Sequence, residues 1–263
     1  MRIEVKNRDE FIETWNGVRN FLFHPEYFEF KKDFPPVEEV VDILRKDEQA
    51  RVTIPGDLSE DEKAKLAAEF RELPIESVID RPFALAHFFL HNFYGPGKFL
   101  HDFQEKVMIP WRTFLASAGF TWQRCYPIIF ISGRNCHSSY HMDNSHVVAW
   151  QIWGVKTFNA FQNPSHYAPL DTCVNNPGSL RSVNGPPDHS PDDVLSYRME
   201  KGALLWNQIL TPHWVPADDG VAMSVNISHG GIRFGGQFSP NEAILRKRWE
   251  DHPDEAWLVD TRY

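Results

Sequence analysis

Val221-Ala222-Met223-Ser224-Val225-Asn226-Ile227-Ser228 alternates in character along its whole length. Val221, Met223, Val225 and Ile227 are apolar, whereas Ala222, Ser224, Asn226 and Ser228 are small or polar. Successive side chains of a strand point to opposite faces. The run therefore predicts a strand with one face in an apolar core and the other facing something hydrated. A small, polar face of this kind suits the wall of a barrel whose interior holds a polar ligand.

Other strands lie upstream of this one. Cys125 to Ser132 is a β-rich apolar run, Val147 to Phe161 is another, interrupted by Gly154, and Ala203 to Trp206 is a short third. The first 120 residues have a different rhythm. Asp9 to Phe21 carries Phe11, Trp15, Val18 and Phe21 at helical spacing, and Pro36 opens a helix through Val40, Val41 and Leu44. Ser59-Glu60-Asp61-Glu62 has the form of a capping box for a helix to Leu73. Arg81 to Phe93 and Phe99 to Phe120 predict two further helices, the second kinked at Pro110. A last helix is expected from Asn241 to Trp249. Between Asn163 and Glu200 the chain is rich in Pro, Asn, Ser and Asp, and a connection of that length usually has a role. The expected architecture is mainly β with a helical N-terminal part, built as one compact unit. Residues 1–120 form a helical region packed on the barrel, 121–238 the barrel core, and 239–263 a C-terminal helix and tail.

The chain has 263 residues, 42% hydrophobic and 24% charged, which is ordinary for a globular domain. A formal net charge of -9 disfavours a phosphate backbone as partner, because the basic cluster Arg246-Lys247-Arg248 is surrounded by acids. Cys125, Cys136 and Cys173 have no CxxC spacing, which argues against a zinc knuckle or a disulfide framework. Met1 to Lys6 lacks the apolar core of a signal peptide, and no apolar run reaches the length of a membrane span. These features predict a cytoplasmic protein with neither nucleic acid nor membrane as partner; the sequence does not set its oligomeric state.

The chemistry is concentrated in a few residues. His141 and Asp143 flank Met142, so on an extended segment both side chains project the same way. His213 lies in a Pro-His-Trp turn and must arrive from a distant strand. Two imidazoles and one carboxylate can occupy one face of an Fe(II) ion and leave the opposite face open. Lys156 is placed to hold the far carboxylate of a small dicarboxylic 2-oxo acid bound to that face, with the Ser138 hydroxyl and the Asn226 amide completing its hydrogen bonds. Lys156 shares strand parity with Trp150, Ile152 and Phe158, so it is expected on an otherwise apolar face, where an ammonium needs a partner. Each residue also has a plainer reading. With twelve His in the chain an HxD pair arises readily by chance, Lys156 alone is a solvated strand lysine, and His213 alone caps a turn. His137, His146, His166 and His229 are expected to be local hydrogen-bonding or surface residues. Trp150, Trp153, Trp206 and Trp214 are expected to pack, with one or two walling a pocket. Arg134 and Arg233 are candidates for a substrate carboxylate.

Ser138-Ser139-Tyr140-His141-Met142-Asp143, followed by Gln151-Ile152-Trp153-Gly154-Val155-Lys156, resembles the metal-binding core of the JmjC and cupin-like 2-oxoglutarate oxygenases. The likeness is to the asparaginyl-hydroxylase branch that includes the factor inhibiting hypoxia-inducible factor. Lys201 to Trp206 leading to Pro212-His213-Trp214 resembles the family's approach to its distal histidine, and Met223-Ser224-Val225-Asn226 its closing strand. The resemblance covers roughly residues 120–230. It implies a double-stranded β-helix (jelly-roll, cupin-like) barrel braced by helices. It further implies Fe(II) on His141, Asp143 and His213, 2-oxoglutarate on Lys156, Ser138 and Asn226, and O2 as oxidant. The sequence departs from the family at Ala203, where an Asp is usual, and at Val147, where that branch has an asparagine. For the upstream co-substrate tyrosine, Tyr126 and Tyr140 are the candidates.

The reaction implied is hydroxylation, or another oxidation, of an unactivated C–H bond with decarboxylation of 2-oxoglutarate to succinate and CO2. The expected substrate is a small metabolite or an amino-acid-derived molecule, with a peptide or carrier-bound residue as the alternative. A metal cupin isomerase or dioxygenase that does not use 2-oxoglutarate, a protein-residue hydroxylase and a binding protein on a decayed barrel are the competing readings. Residues 163–200 and the helical N-terminal part are the expected walls of the substrate entrance.

Overall fold

The computed structural model describes residues 2–180, 182 and 184–256. Its strands are β1 (Glu4–Val5), β2 (Phe21–Phe23), β3 (Arg51–Thr53), β4 (Ala84–His87), β5 (Phe120–Thr121), β6 (Arg124–Ser132), β7 (Cys136–His141), β8 (His146–Trp153), β9 (Lys156–Phe161), β10 (Val194–Met199), β11 (Leu204–Asn207), β12 (His213–Asp218), β13 (Ala222–Gly230), β14 (Arg233–Phe234) and β15 (Gln237–Phe238). The α-helices are α1 (Arg8–Asn16), α2 (Val37–Arg45), α3 (Glu60–Glu72), α4 (Ile75–Val78), α5 (Ile109–Ala118), α6 (Pro164–Tyr167), α7 (Leu170–Asn175) and α8 (Pro240–Asp251).

Eight strands form a wide sheet in the order β1-β2-β11-β8-β13-β6-β4-β3, and four form a narrow sheet in the order β10-β9-β12-β7. From β6 to β13 the chain passes repeatedly between them. β6, β8, β11 and β13 lie in the wide sheet, and β7, β9, β10 and β12 in the narrow one. This alternation makes the core a double-stranded β-helix braced by helices. β13 occupies its centre, paired with β6 from Ala222↔Ser132 to Gly230↔Arg124 and with β8 on its other edge. Its apolar face, Met223, Val225 and Ile227, is buried in the main core with Ile129, Ile131, Val148 and Trp150. Phe11, Trp15, Phe23, Trp111 and Phe120 pack into that same core. Its polar face lines a cavity between the two sheets.

The β-rich second half matches expectation at β6, β8, β9, β11 and β13, and α2, α3 and α8 form close to where the pattern places them. The capping box at Ser59 and Glu62 is present in both directions. Other expectations fail for identifiable reasons. α1 stops at Asn16, where Gly17 caps it, and Val18 takes φ 54, so Phe21 starts a strand instead of closing a helix. Arg81 to Phe93 is not a helix. Ala84–His87 is β4, and a 3-10 turn follows at Leu90–Phe93. A short apolar run fits either structure, and the free edge of β6 decides it, since Ala84 to His87 pair with Ser132 to Ile129. The helix expected from Phe99 begins with a π-turn at Gln104–Met108 and continues as α5, with Pro110 in its first turn. The N-terminal part therefore contributes β1 to β4 to the wide sheet as well as helices. The stretch from 163 to 200 contains α6, α7 and β10, and β10 pairs with β9 along its length.

Candidate metal centre and its cavity

β7 and β12 are antiparallel neighbours in the narrow sheet, and their register puts His213 opposite His141. Asp143 follows two residues after His141, in the turn leading out of β7. Sequence residues 72 positions apart thus become cross-strand partners. Among the described residues, one ligand atom each from His141, Asp143 and His213 lie within 4.8 Å of one another. His141 Nε2 is 3.8 Å from one carboxylate oxygen of Asp143, and His213 Nε2 is 3.7 Å from the other.

The second nitrogen of each ring fixes which way the lone pairs point. His141 Nδ1 lies 2.6 Å from the Ser139 carbonyl and His213 Nδ1 lies 3.1 Å from that of Thr211. A carbonyl can only accept, so each Nδ1 carries the proton and each Nε2 offers its lone pair toward Asp143. Burial, followed by the neighbouring His141, pushes the His213 imidazole down to about 4. It is neutral near pH 7, the form a metal requires. Asn207 was not singled out from sequence. Its Nδ2 donates to Asp143 Oδ2 at 3.3 Å, which orients the carboxylate beside the His213 ring. The Asp143 backbone is held as well, its carbonyl accepting from Leu210 N at 2.9 Å. The segment between β11 and β12 is tied in turn to Asn20, whose Oδ1 accepts from Gln208 N at 2.7 Å and Thr211 Oγ1 at 3.1 Å.

The triad opens into a cavity of about 620 Å³ between the sheets, lined also by Ser138, Lys156 and Asn226. The Lys156 side chain is buried, and burial lowers its affinity for a proton, partly offset by Asp218. Its ammonium donates to the Cys136 carbonyl at 3.3 Å. Asn226 Oδ1 is buried without a hydrogen-bond partner among the described residues. Lys156 does not share a face with Trp150 and Ile152, as strand parity suggested. Those two belong to the core outside the wide sheet, whereas Lys156 and Phe158 face the cavity. Gly154 resets the parity. Its φ is 67, and a Cβ there would lie 2.2 Å from the Val221 carbonyl, so the chain turns sharply between sheets at this residue.

Of the two candidate tyrosines, Tyr126 lines the cavity, while Tyr140 is packed with Phe161 and Trp214. Val147 is on the cavity wall. Arg134 pairs with Asp80 at 2.9 Å and Arg233 lies over Phe238, and neither lines the cavity. The cavity's arginines are instead Arg51 and Arg124. Arg124 was findable, because it shares the even-numbered face of β6 with Tyr126, Ile128 and Phe130. None of the four tryptophans considered lines the cavity among the described residues, and Trp206 is fully buried. His146 and His229 are core residues, His166 is exposed, and His137 joins the cavity wall.

The fold is shared with a known oxygenase. Solved structures of YcfD, a ribosomal oxygenase from Escherichia coli, superpose on the whole chain at 16% identity and a TM-score of 0.53 for the complex with cobalt and 2-oxoglutarate. For the complex with cobalt and succinic acid the values are 15% and 0.52. The chain spans 60% of the length of those structures. No protein-family model matches the sequence, and no curated protein does. At this level of identity the likeness is one of fold. Among the described residues no helix is long and apolar enough to cross a membrane, and the three cysteines are buried and free.

Proposed function

We propose that the chain is an Fe(II)- and 2-oxoglutarate-dependent oxygenase that hydroxylates, or otherwise oxidises, an unactivated C–H bond of a small or amino-acid-derived substrate. The observation that carries this reading is the pairing of a His–Asp–His donor set with a buried lysine in one cavity. A buried ammonium with one 3.3 Å hydrogen bond leaves most of its donor capacity unused, which is costly unless an anion joins it. The unpartnered Asn226 Oδ1 is a second unmet polar atom in the same cavity. Both fit a dicarboxylic co-substrate: Lys156 and the Ser138 hydroxyl hold its distal carboxylate, and Asn226 completes the polar wall. A cupin isomerase or dioxygenase without 2-oxoglutarate gives Lys156 no partner.

When bound, iron and 2-oxoglutarate supply the oxidising power, with O2 consumed and succinate and CO2 released. The chain's own residues bind, orient and exclude. His141, Asp143 and His213 would hold the metal, and Asn207 keeps the carboxylate in place. Phe158 stacks on the His213 ring at 5.0 Å and shields it from water. A protein-residue substrate is the second reading, supported by the name of the structural neighbour, a ribosomal oxygenase. The cavity's volume falls within the range of small-molecule sites and favours the first.

The test is anaerobic titration of the Fe(II)-loaded protein with 2-oxoglutarate, monitoring the weak visible metal-to-ligand band. The band is expected in the wild type and lost in Lys156→Ala at the same concentrations. No band in the wild type, or an unchanged one in Lys156→Ala, overturns the reading.

A further inference from the structure

The cavity floor on the wide sheet is divided lengthwise. Ala222, Ser224, Asn226 and Ser228 of β13 face it, and so do Ile128 and Phe130 of β6. Ser224 is the register partner of Phe130, and Asn226 that of Ile128. A small, polar stripe and an apolar stripe therefore lie side by side on one face of one sheet, about 5 Å apart.

With 2-oxoglutarate in the site the polar stripe is used. Lys156, Ser138 and Asn226 serve its oxygens, and its short methylene link has no need of Ile128 and Phe130. The apolar stripe is left for the molecule to be oxidised, and it leads toward the triad. Ile128 is 6% exposed and Phe130 37%, so burial deepens from Phe130 inward. Tyr126, one cavity-facing step past Ile128, pairs with Ser228, Ser228 with Val147, and Val147 with Asn207, whose amide donates to Asp143. At strand rise Phe130 lies roughly 13 Å along β6 from that row.

The neighbours of Phe130 leave its ring bare. Its register partners are Ala86 on β4 and Ser224 on β13, and the next cavity-facing residue of its own strand is Ser132. These side chains are too short to cover a phenyl ring. Among the described residues the ring meets one other, that of Phe88, T-shaped at 5.9 Å and 83°. Ile109, Trp153 and Ile244 are the other exposed large hydrophobics described, and none of them lines the cavity. Phe130 alone of the four belongs to the triad's cavity, so what covers it is the molecule that the cavity admits.

We propose that the primary substrate carries an aromatic ring that packs on Phe130, with its linker passing over Ile128 and the carbon to be oxidised at the triad. This rests on the 2-oxoglutarate reading and deepens it by naming the substrate's chemical class, an elongated molecule whose aromatic group is remote from the reacting carbon. Aromatic rings in offset or edge-on contact gain more than the area they bury, which an alkyl chain does not. A flat ring also fits beside Phe130 above the short side chains of Ala86, Ser132 and Ser224. Arg51, the register partner of Ala86, lies over Phe88 at 5.1 Å and bounds the stripe on its outer side.

The experiment uses Mn(II) as a paramagnetic stand-in for Fe(II), saturating 2-oxoglutarate, and two uncharged probes, N-acetylphenylalanine amide and N-acetylalanine amide. Proton relaxation of probe and co-substrate is read in the same tube. The phenyl probe is expected to bind the wild type at least about 10-fold more tightly than the methyl probe, the scale of half-burying a phenyl side chain. Phe130→Ala is expected to erase that preference. Phe130→Leu, which keeps an apolar side chain but no flat face, is expected to lose most of it while 2-oxoglutarate still relaxes. Trp153→Ala, which removes an exposed aromatic outside the cavity, is expected to keep it in full. Equal binding of the two probes, no binding of the phenyl probe, full retention of the preference in Phe130→Ala or Phe130→Leu, or its loss in Trp153→Ala overturns the proposal. Failure of the co-substrate reading is recognised separately, because 2-oxoglutarate itself then shows no relaxation in the wild type, and the proposal falls with it.

Discussion

Two histidine pairs sit a few residues apart in the same barrel and do opposite things. His141 and His213 each donate Nδ1–H to a carbonyl and turn Nε2 toward the Asp143 carboxylate, at 3.8 and 3.7 Å. His146 and His229 are fully buried, and both nitrogens of each ring are in contact with protein. His229 Nε2 accepts from Trp111 Nε1 at 2.7 Å, and its Nδ1 lies 3.3 Å from the His146 carbonyl. His146 Nδ1 accepts from Trp206 Nε1 at 3.4 Å, and its Nε2 lies 3.2 Å from Ser239 Oγ and 3.4 Å from Glu242. What separates a candidate ligand from a core histidine here is the direction of a spare lone pair.

Substitutions in the two pairs should therefore separate cleanly. His141→Ala or His213→Ala is expected to abolish succinate formation while the unfolding midpoint of the metal-free protein stays near wild type. Persistent turnover would move the metal elsewhere. His229→Leu should behave in reverse, losing about 2–4 kcal/mol of stability because the Trp111 N–H is left buried without an acceptor. Urea unfolding measures this, and metal affinity of the folded variant should be unchanged. Asn207→Ala, between the two cases, is expected to weaken metal binding about 10–100-fold without unfolding the chain, as read by competition with a chelator.

The smallest effect is a pH slope. Burial holds the His229 imidazole down at about 3, so it stays neutral in the folded chain and takes up a proton only when unfolded. Its contribution is complete above the unfolded value near 6.5 and is lost as pH falls toward 3, at about 1.4 kcal/mol per pH unit inside that window. Unfolding at pH 7 and pH 5 should show a slope that shrinks in His229→Leu. An identical slope in both proteins would assign the proton uptake to other groups.

The legible parts of the molecule were those in which one face is uniformly apolar. β6, β8 and β13 announce themselves because their outer sides enter an aromatic core, and the HxD spacing carries its own geometry. β7 leaves no strand pattern in the sequence, because Cys136 to His141 has no uniformly apolar face. β12 was hidden by Pro216 and by two register shifts against β7. The Lys156 parity error came from counting through Gly154 as though the strand were continuous. Asn207 leaves no pattern at all. A lone amide at a strand end gains its meaning only when the chain returns six residues later with His213.

Asn20 gives the N-terminal segment a share in shaping the candidate metal centre. A single carboxamide oxygen in the link between α1 and β2 anchors the backbone of Gln208 and the hydroxyl of Thr211, and the carbonyl of Thr211 sets the tautomer of His213. A fragment beginning at β6 would keep all three candidate metal ligands and lose the brace that aims one of them. For protein engineering, the working unit is the barrel together with its first twenty-odd residues, and a trimmed barrel should bind metal loosely before it fails to fold.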